Sequence, residues 1–283
     1  MEIAISSIAY LGKPVEAFIE SCIKNDFVPE FSSGMPYKEN MLEIFLASKT
    51  RKKFAHNYFP APKIPFVLNL ASNNKEIRTK SIQHCVQGMQ LSEKVGAPFF
   101  SAHAGFCVDP NPAELGRELV RSANIDRELH YRIFIDSLQE VLKLSTSTGL
   151  NFLIENNVLA KMNRYDDGIN PLLCVESDEC KRAINDCNDK RLGQLVDTAH
   201  VKVSANTLGF SPFDFFNDLQ EFIQCIHHSD NEGEFDNNMV LKEDYWFASL
   251  IHHHKNVVHV LEVKKISEEE IKEQVQLLSR FLK

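Results

Sequence analysis

The sequence predicts a single α/β domain over residues 1–283, folded as a (β/α)8 barrel. Eight short β-rich runs alternate with helical patterns. No linker or low-complexity tract divides them. Reactive side chains fall at the ends of most of the runs, where such a barrel builds its active-site mouth. The length is right for one barrel of this type. A doubly wound open sheet is the competing arrangement, but the glycine-rich turn expected after its first strand is missing.

In chain order the runs are EIAISSIAY (2–10), FVPEFSS (27–33), KKFAHNYF (52–59), PFFSAHAG (98–105), NFLIENN (151–157), GQLVDTAH (193–200), FIQCIHHSD (222–230) and VVHVLEV (257–263). Helical patterns lie between them: KPVEAFIESCIKN (13–25), a long stretch over 74–96, another over 124–149, and EDYWFASLIHHHKN (243–256). The chain closes on SEEEIKEQVQLLSRFLK (267–283), where Ser267 precedes Glu270 by three residues as in a capping box. The second and sixth units are the weakest, with short or interrupted helices.

Composition narrows the function. With 43% hydrophobic and 25% charged residues the chain reads as an ordinary globular protein. A net charge of −8 argues against a generally basic nucleic-acid face. Seven scattered cysteines form no C-x-x-C pair, so neither a zinc ribbon nor a redox motif is indicated and free thiols in a reducing compartment fit best. The N-terminus lacks the basic and apolar regions of a signal peptide, and no apolar run approaches about 18 residues. A cytoplasmic protein without a membrane partner is expected.

Chemistry concentrates at the strand ends. The third run carries His56, the fourth His103, the fifth Glu155, and the sixth Asp197 followed by His200. The seventh carries His227 and His228, with Asp236 in the loop beyond, and the eighth carries Glu262. Like charges about 4 Å apart cost on the order of 4 kcal/mol at an effective dielectric near 20. Three converging carboxylates (Glu155, Asp197, Glu262) would therefore raise their pKa values or recruit a cation. With imidazoles beside them, the donor set suits Mn, Zn, Fe or Co, whereas Mg favours oxygen alone.

Taken singly, each residue has an ordinary reading. Asp197 would be the N-cap of the next helix, His56 a hydrogen-bonded structural residue, and Glu155 the partner of a barrel cation. Together those readings require coincidence at six of eight strand ends, so a divalent metal is the expectation. The triplet His252–His254 is expected at a solvated helix C-terminus. Cys174, Cys180 and Cys187 are read as free thiols, and His84 and His130 as surface or packing residues. Arg164, in the polar loop MNRYDDG (162–168), is the candidate for an anionic substrate, with a salt-bridged loop role as the alternative.

The segments HNYFPAPKIPFVLNLAS, HAG, IENN, VDTAH, HHSD and LEV, in that order, resemble the xylose isomerase-like TIM-barrel superfamily, which includes sugar isomerases and epimerases and endonuclease IV-type apurinic endonucleases. The resemblance implies a common metal site of Glu155, Asp197, His227 and Glu262. It further implies, from the endonuclease branch, His56 and His103 on a second metal and His200 with Asp236 on a third, so one to three ions, with Mn or Zn ahead of Co, Fe or Mg. The chain departs from that branch at Asn238, where the branch has a second histidine, and in its N-terminal third.

Two enzyme readings follow. In the first, a sugar or sugar-phosphate isomerase or epimerase, the metal polarises a carbonyl and Glu155 and Glu262 exchange a proton from two sides, with His200 orienting an oxygen. Its partner is a small carbohydrate. In the second, an endonuclease IV-like phosphodiesterase, two metals bridged by Glu155 activate water, and only there is nucleic acid a partner. The sequence places the first reading ahead. A barrel that binds metal or sugar without turnover comes last, because buried charged ligands are costly to keep without use.

Overall fold

The computed structural model describes residues 3–114, 116–120, 125–165 and 167–283. Glu2 and Asn124, at the starts of an expected strand and helix, and Asp166 in the polar loop lie outside them. Eight parallel strands form one sheet: β1 (Ile3–Ser6), β2 (Val28–Phe31), β3 (Phe54–Ala55), β4 (Phe99–His103), β5 (Asn151–Glu155), β6 (Leu192–Asp197), β7 (Ile223–His228) and β8 (Val258–Leu261). Their order is β3-β2-β1-β8-β7-β6-β5-β4, a barrel with its seam between β3 and β4. The seam is drawn together by a parallel bridge between His56 and Ser101, with the Asn57 N–H donating to the Ser101 carbonyl at 2.6 Å. The fold is a (β/α)8 barrel, as the sequence predicts.

The helices are α1 (Val15–Asn25), α2 (Met41–Ala47), α3 (Lys75–Lys94), α4 (Arg127–Leu144), α5 (Ser177–Cys187), α6 (Thr198–Leu208), α7 (Pro212–Leu219) and α8 (Glu268–Phe281). Side chains cap many of their first turns: Asn74 for α3, Asp126 for α4, Ser211 ahead of Pro212 for α7, and the Ser267–Glu270 capping box for α8. The sixth unit is interrupted because Gly209, at φ +84°, ends α6 in the left-handed conformation.

The expected helix over 243–256 does not form. Those residues make turns and one short 3-10 turn, Ile251–His254. Tyr245 and Phe247 are both buried, whereas an α-helix would point residues two apart to nearly opposite sides. Phe247 packs on Phe216 of α7 with ring centroids 4.2 Å apart. The histidine triplet divides accordingly: His252 and His253 are exposed, but His254 is buried against the same aromatic cluster.

Two clusters make up most of the core, and a smaller third one, with Val108, Leu119, Leu159, Leu172 and Val175, lies apart from them. A large cluster, in which Phe31 packs on Phe18, Phe45 and Phe59, lies outside the barrel wall. A second cluster includes one side chain from each strand, Ala4, Val28, Phe54, Phe99, Leu153, Leu195, Cys225 and Val260, and plugs the interior. Around the wall the helices pack closely. A methyl group at Gly88 of α3 would sit 2.4 Å from the Phe100 ring. Gly88→Ala is therefore expected to destabilise the protein by about 1–3 kcal/mol, where an unencumbered helix would gain about 1 kcal/mol from the same change. Urea denaturation reads the difference, and a stabilised variant would show that α3 stands clear of β4.

Candidate metal centre

Strand side chains alternate between faces, so the next inward position on each strand lies two residues beyond the apolar plug. Those eight positions hold Ser6, Glu30, His56, Ser101, Glu155, Asp197, His227 and Glu262, and all are buried. The barrel thus changes from hydrocarbon to a ring of polar side chains within one alternation. Buried polar groups of this kind require partners, and the partners here are mostly one another.

Glu155 is the hub. Its Oε2 lies 3.2 Å from His56 Nε2 and 3.4 Å from His103 Nδ1. Its Oε1 lies 3.6 Å from His200 Nδ1 and 4.0 Å from His227 Nδ1. His227 is held from both ends, with Nδ1 2.9 Å from Glu262 and Nε2 3.0 Å from Glu30. Ser101 fixes His56 through Nδ1 at 2.8 Å. His200 donates from Nδ1 to the Asn156 carbonyl at 2.8 Å and turns Nε2 to Asp236 at 3.2 Å. Asp197 serves two purposes: Oδ1 caps α6 by accepting from the His200 backbone N–H, while Oδ2 is buried without a donor.

The charges are strongly coupled. Burial disfavours the charged form of Glu155, but His103, His56 and His200 hold its carboxyl well below the usual range. His227 lowers Glu262 to about 2 against the same burial. Burial, together with Glu262, Asp236 and Glu155, raises Asp197 well above its ordinary value. For His227 and His200, burial opposes the imidazolium, yet Glu30 and Glu262 in one case and Asp197 and Asp236 in the other raise the pKa well above 6.5.

These residues fit a cation. Donor atoms of Glu155, Asp197, His227 and Glu262 lie within 4.8 Å of one another, as do those of His56, His103 and Glu155. The oxygens Glu155 Oε2, Asp197 Oδ2, Glu30 Oε1 and Asp236 Oδ1 are buried with no hydrogen-bond donor. All eight metal candidates read from the sequence are gathered here: His56, His103, Glu155, Asp197, His200, His227, Asp236 and Glu262. Asn238 turns its amide to Ser229 Oγ at 3.4 Å.

Glu30 is the residue that sequence reasoning missed. Its signal lay in VPEF, two residues beyond the inward Val28, the same step that separates Leu153 from Glu155. Arg164 is not brought to the site. It is exposed, and donates to the Thr207 carbonyl at 3.4 Å. Above the centre a cleft of about 480 Å³ opens over His103, His200 and Asp236, and among the described residues Arg117 is the arginine that lines it.

Against known proteins, residues 31–281 match the family described as xylose isomerase-like TIM barrel, and the chain belongs to that family. Within it, 136 residues are 29% identical to a probable endonuclease 4 of Aquifex aeolicus (strain VF5), a match over 48% of this chain and 40% of that protein. Among solved structures, a D-tagatose 3-epimerase-like protein superposes with a TM-score of 0.76 at 17% identity, over 100% of this chain and 97% of the other. A Thermus thermophilus protein soaked with ZnCl2 gives 0.67 at 15% identity over 99% of each chain. At these identities the structural likenesses establish the fold.

One packing histidine supports the site from behind. His84 of α3 is buried, donates from Nε2 to the carbonyl of Asn57 at 3.0 Å, and packs on Tyr58. Burial lowers its pKa from 6.5 to about 4. The unfolded chain takes up this proton below about pH 6.5 while the fold refuses it until about pH 4. The neutral ring's full contribution is therefore present above pH 6.5 and is lost as pH falls through that window, a change of roughly 3 kcal/mol. In His84→Gln, chemical denaturation followed from pH 7 to pH 4 is expected to show a correspondingly shallower loss. An unaltered acid slope would mean that the ring titrates normally.

Proposed function

We propose that this chain is a metal-dependent hydrolase of phosphate esters, in which Glu155, Asp197, His227 and Glu262 would hold one divalent ion and His56 and His103, with Glu155, a second. The observation that carries this reading is the approach of His56 Nε2 and His103 Nδ1 to one oxygen of Glu155, while its other oxygen faces His227. A single ion is served by Glu155, Asp197, His227 and Glu262; the added histidine pair supplies a second position. The mixed nitrogen and oxygen donors suit Zn or Mn. Two such ions, when bound, supply an activated water and a counter-charge for the phosphoryl oxygens.

The chain's own residues perform the rest. Glu30 and Ser101 orient His227 and His56 through their outer ring nitrogens, the support that metal-binding histidines need. Asp236 Oδ1, at the cleft and without a donor, takes the proton of the attacking water. His200 Nε2, kept protonated by its carboxylate neighbours, gives one to the departing oxygen. The endonuclease 4 relative supports ester hydrolysis. The net charge of −8 favours a small ester over DNA, and the seven unpaired cysteines favour a cytoplasmic setting. No helix among the described residues is long and apolar enough to cross a membrane.

The reading placed first by the sequence, metal-dependent isomerisation or epimerisation of a sugar, keeps one observation of its own. Glu155 and Glu262 approach the same nitrogen of His227, at 4.0 and 2.9 Å, which suits a pair of proton-exchanging carboxylates. Metal analysis separates the two. Protein purified without chelator is expected to carry two ions per chain, His103→Ala about one, and Glu155→Gln neither, with hydrolysis of bis(p-nitrophenyl) phosphate falling at least about 100-fold in Glu155→Gln. One ion per chain, no ester hydrolysis, and solvent-proton exchange on a ketose would establish the epimerase instead. Glu30→Gln is expected to weaken metal affinity by about 10–100-fold, measured by competition with a chelator; unchanged affinity would leave Glu30 a packing residue.

A further inference from the structure

The cleft above the metal centre carries information about the rest of the substrate. Its floor is formed by His103, His200 and Asp236, so the reacting group sits there. Its walls are largely apolar: Tyr58, Phe66, Phe106, Leu119, Met162 and Phe235 face the same space. The volume, about 480 Å³, is within the range of small-molecule sites. Phe235, next to Asp236 in sequence, is 51% exposed, an uncovered ring at the entrance.

The amides that border the cleft are engaged within the protein. Asn157 donates from Nδ2 to the carbonyls of Ala104, Gly105 and Leu173. Asn163 accepts from the Leu119 N–H and donates to the Arg117 carbonyl. Asn57 donates to Ser33 Oγ, and the Tyr58 hydroxyl accepts from the Phe66 N–H at 2.6 Å. These groups hold the loops that shape the walls. A polyhydroxylated ligand would bring hydroxyls against hydrocarbon with few of these side-chain donors free, and buried hydroxyls need partners. A flat apolar group meets the walls without that loss and finds aromatic rings for edge or face contact.

We infer that the substrate is an aryl or similarly planar apolar phosphate ester, with its phosphate over the metal centre and its apolar group in the cleft. The chemical step rests on the proposed hydrolysis: the oxygen of water bonds to phosphorus, the ester P–O bond breaks with its electron pair on the departing oxygen, and that oxygen takes up a proton. The apolar preference rests on the walls alone.

Binding and turnover test the two separately. With zinc-loaded full-length protein, isothermal titration compares 1-naphthylmethylphosphonate, which is not hydrolysed, with methylphosphonate and ribose 5-phosphate. The naphthyl compound is expected to bind at least about tenfold more tightly than either. Phe235→Ala, at an exposed position that the fold does not need, is expected to narrow that ratio at least about threefold, and Phe106→Leu to narrow it less. Equal affinities, or a preference for ribose 5-phosphate, would overturn the inference. Tight naphthyl binding without release of naphthol from 1-naphthyl phosphate would sustain the apolar preference of the cleft and overturn the hydrolase reading together with the ester substrate.

Discussion

A carboxylate at the centre of the barrel, 1% exposed and ringed by imidazoles, sets the terms on which the rest of this structure is built. Glu155 follows three apolar residues of β5, and the alternation that sends Leu153 into the plug sends Glu155 into the polar ring. An ion so placed has lost its water, and neighbouring charge must replace that solvation. The nearest imidazoles, His56, His103 and His200, come from three other strand ends, so the bottom of the barrel must close accurately for the top to be stable. The bridge between His56 and Ser101 shows the coupling directly: the residue that shuts the β3–β4 seam also presents its ring to Glu155.

The next two residues carry the same logic outward. Asn156 accepts from the Asp197 N–H at 2.9 Å, and its own carbonyl accepts from His200. Asn157 ties its amide to three carbonyls of the β4 and β5 loops. The tetrapeptide IENN thus supplies one functional carboxylate and two fixings for its neighbours. A similar arrangement lies behind His227. The Tyr245 hydroxyl donates to Thr198 Oγ1 at 2.7 Å, and Thr198 in turn donates to the His227 carbonyl at 3.0 Å. Tyr245 reaches Thr198 because its segment is wound in turns; a helix there would have directed Tyr245 and Phe247 apart.

Much of this was legible in the sequence. The eight runs and their order follow from period-two patterning, and charged or imidazole residues interrupt it at six strand ends; the particular set of eight metal candidates is what the family resemblance implies. What escaped did so for identifiable reasons. In EDYWFASLIHHHKN an aromatic-rich stretch was read with helical spacing, and burial against Phe216 decided its conformation instead. Glu30 stands between Pro29 and Phe31 in a short run, and the register of β1 with β2, which pairs Ser6 with Glu30, places it on the inward face with Val28. Arg164 drew attention as a loop cation, but loop positions cannot be assigned to a cleft from spacing, and among the described residues the arginine that lines the cleft is Arg117.

Asp197 shows how an ordinary local reading and a functional one can hold together. One oxygen caps α6 and satisfies a helix N–H, as an aspartate after a strand commonly does; the other is left without a donor among four further carboxylates, Glu30, Glu155, Asp236 and Glu262. Against these five stand the imidazoles of His56, His103, His200 and His227. With protons alone the ring lowers its net negative charge by holding Asp197 protonated and His200 and His227 charged, the directions in which their pKa values move. A dication held by Asp197 and His227 would take lone pairs that those two protons occupy, so its uptake would release protons and its affinity would weaken as pH falls. The apolar plug beneath the ring sharpens this exchange, because it denies the carboxylates any water from below.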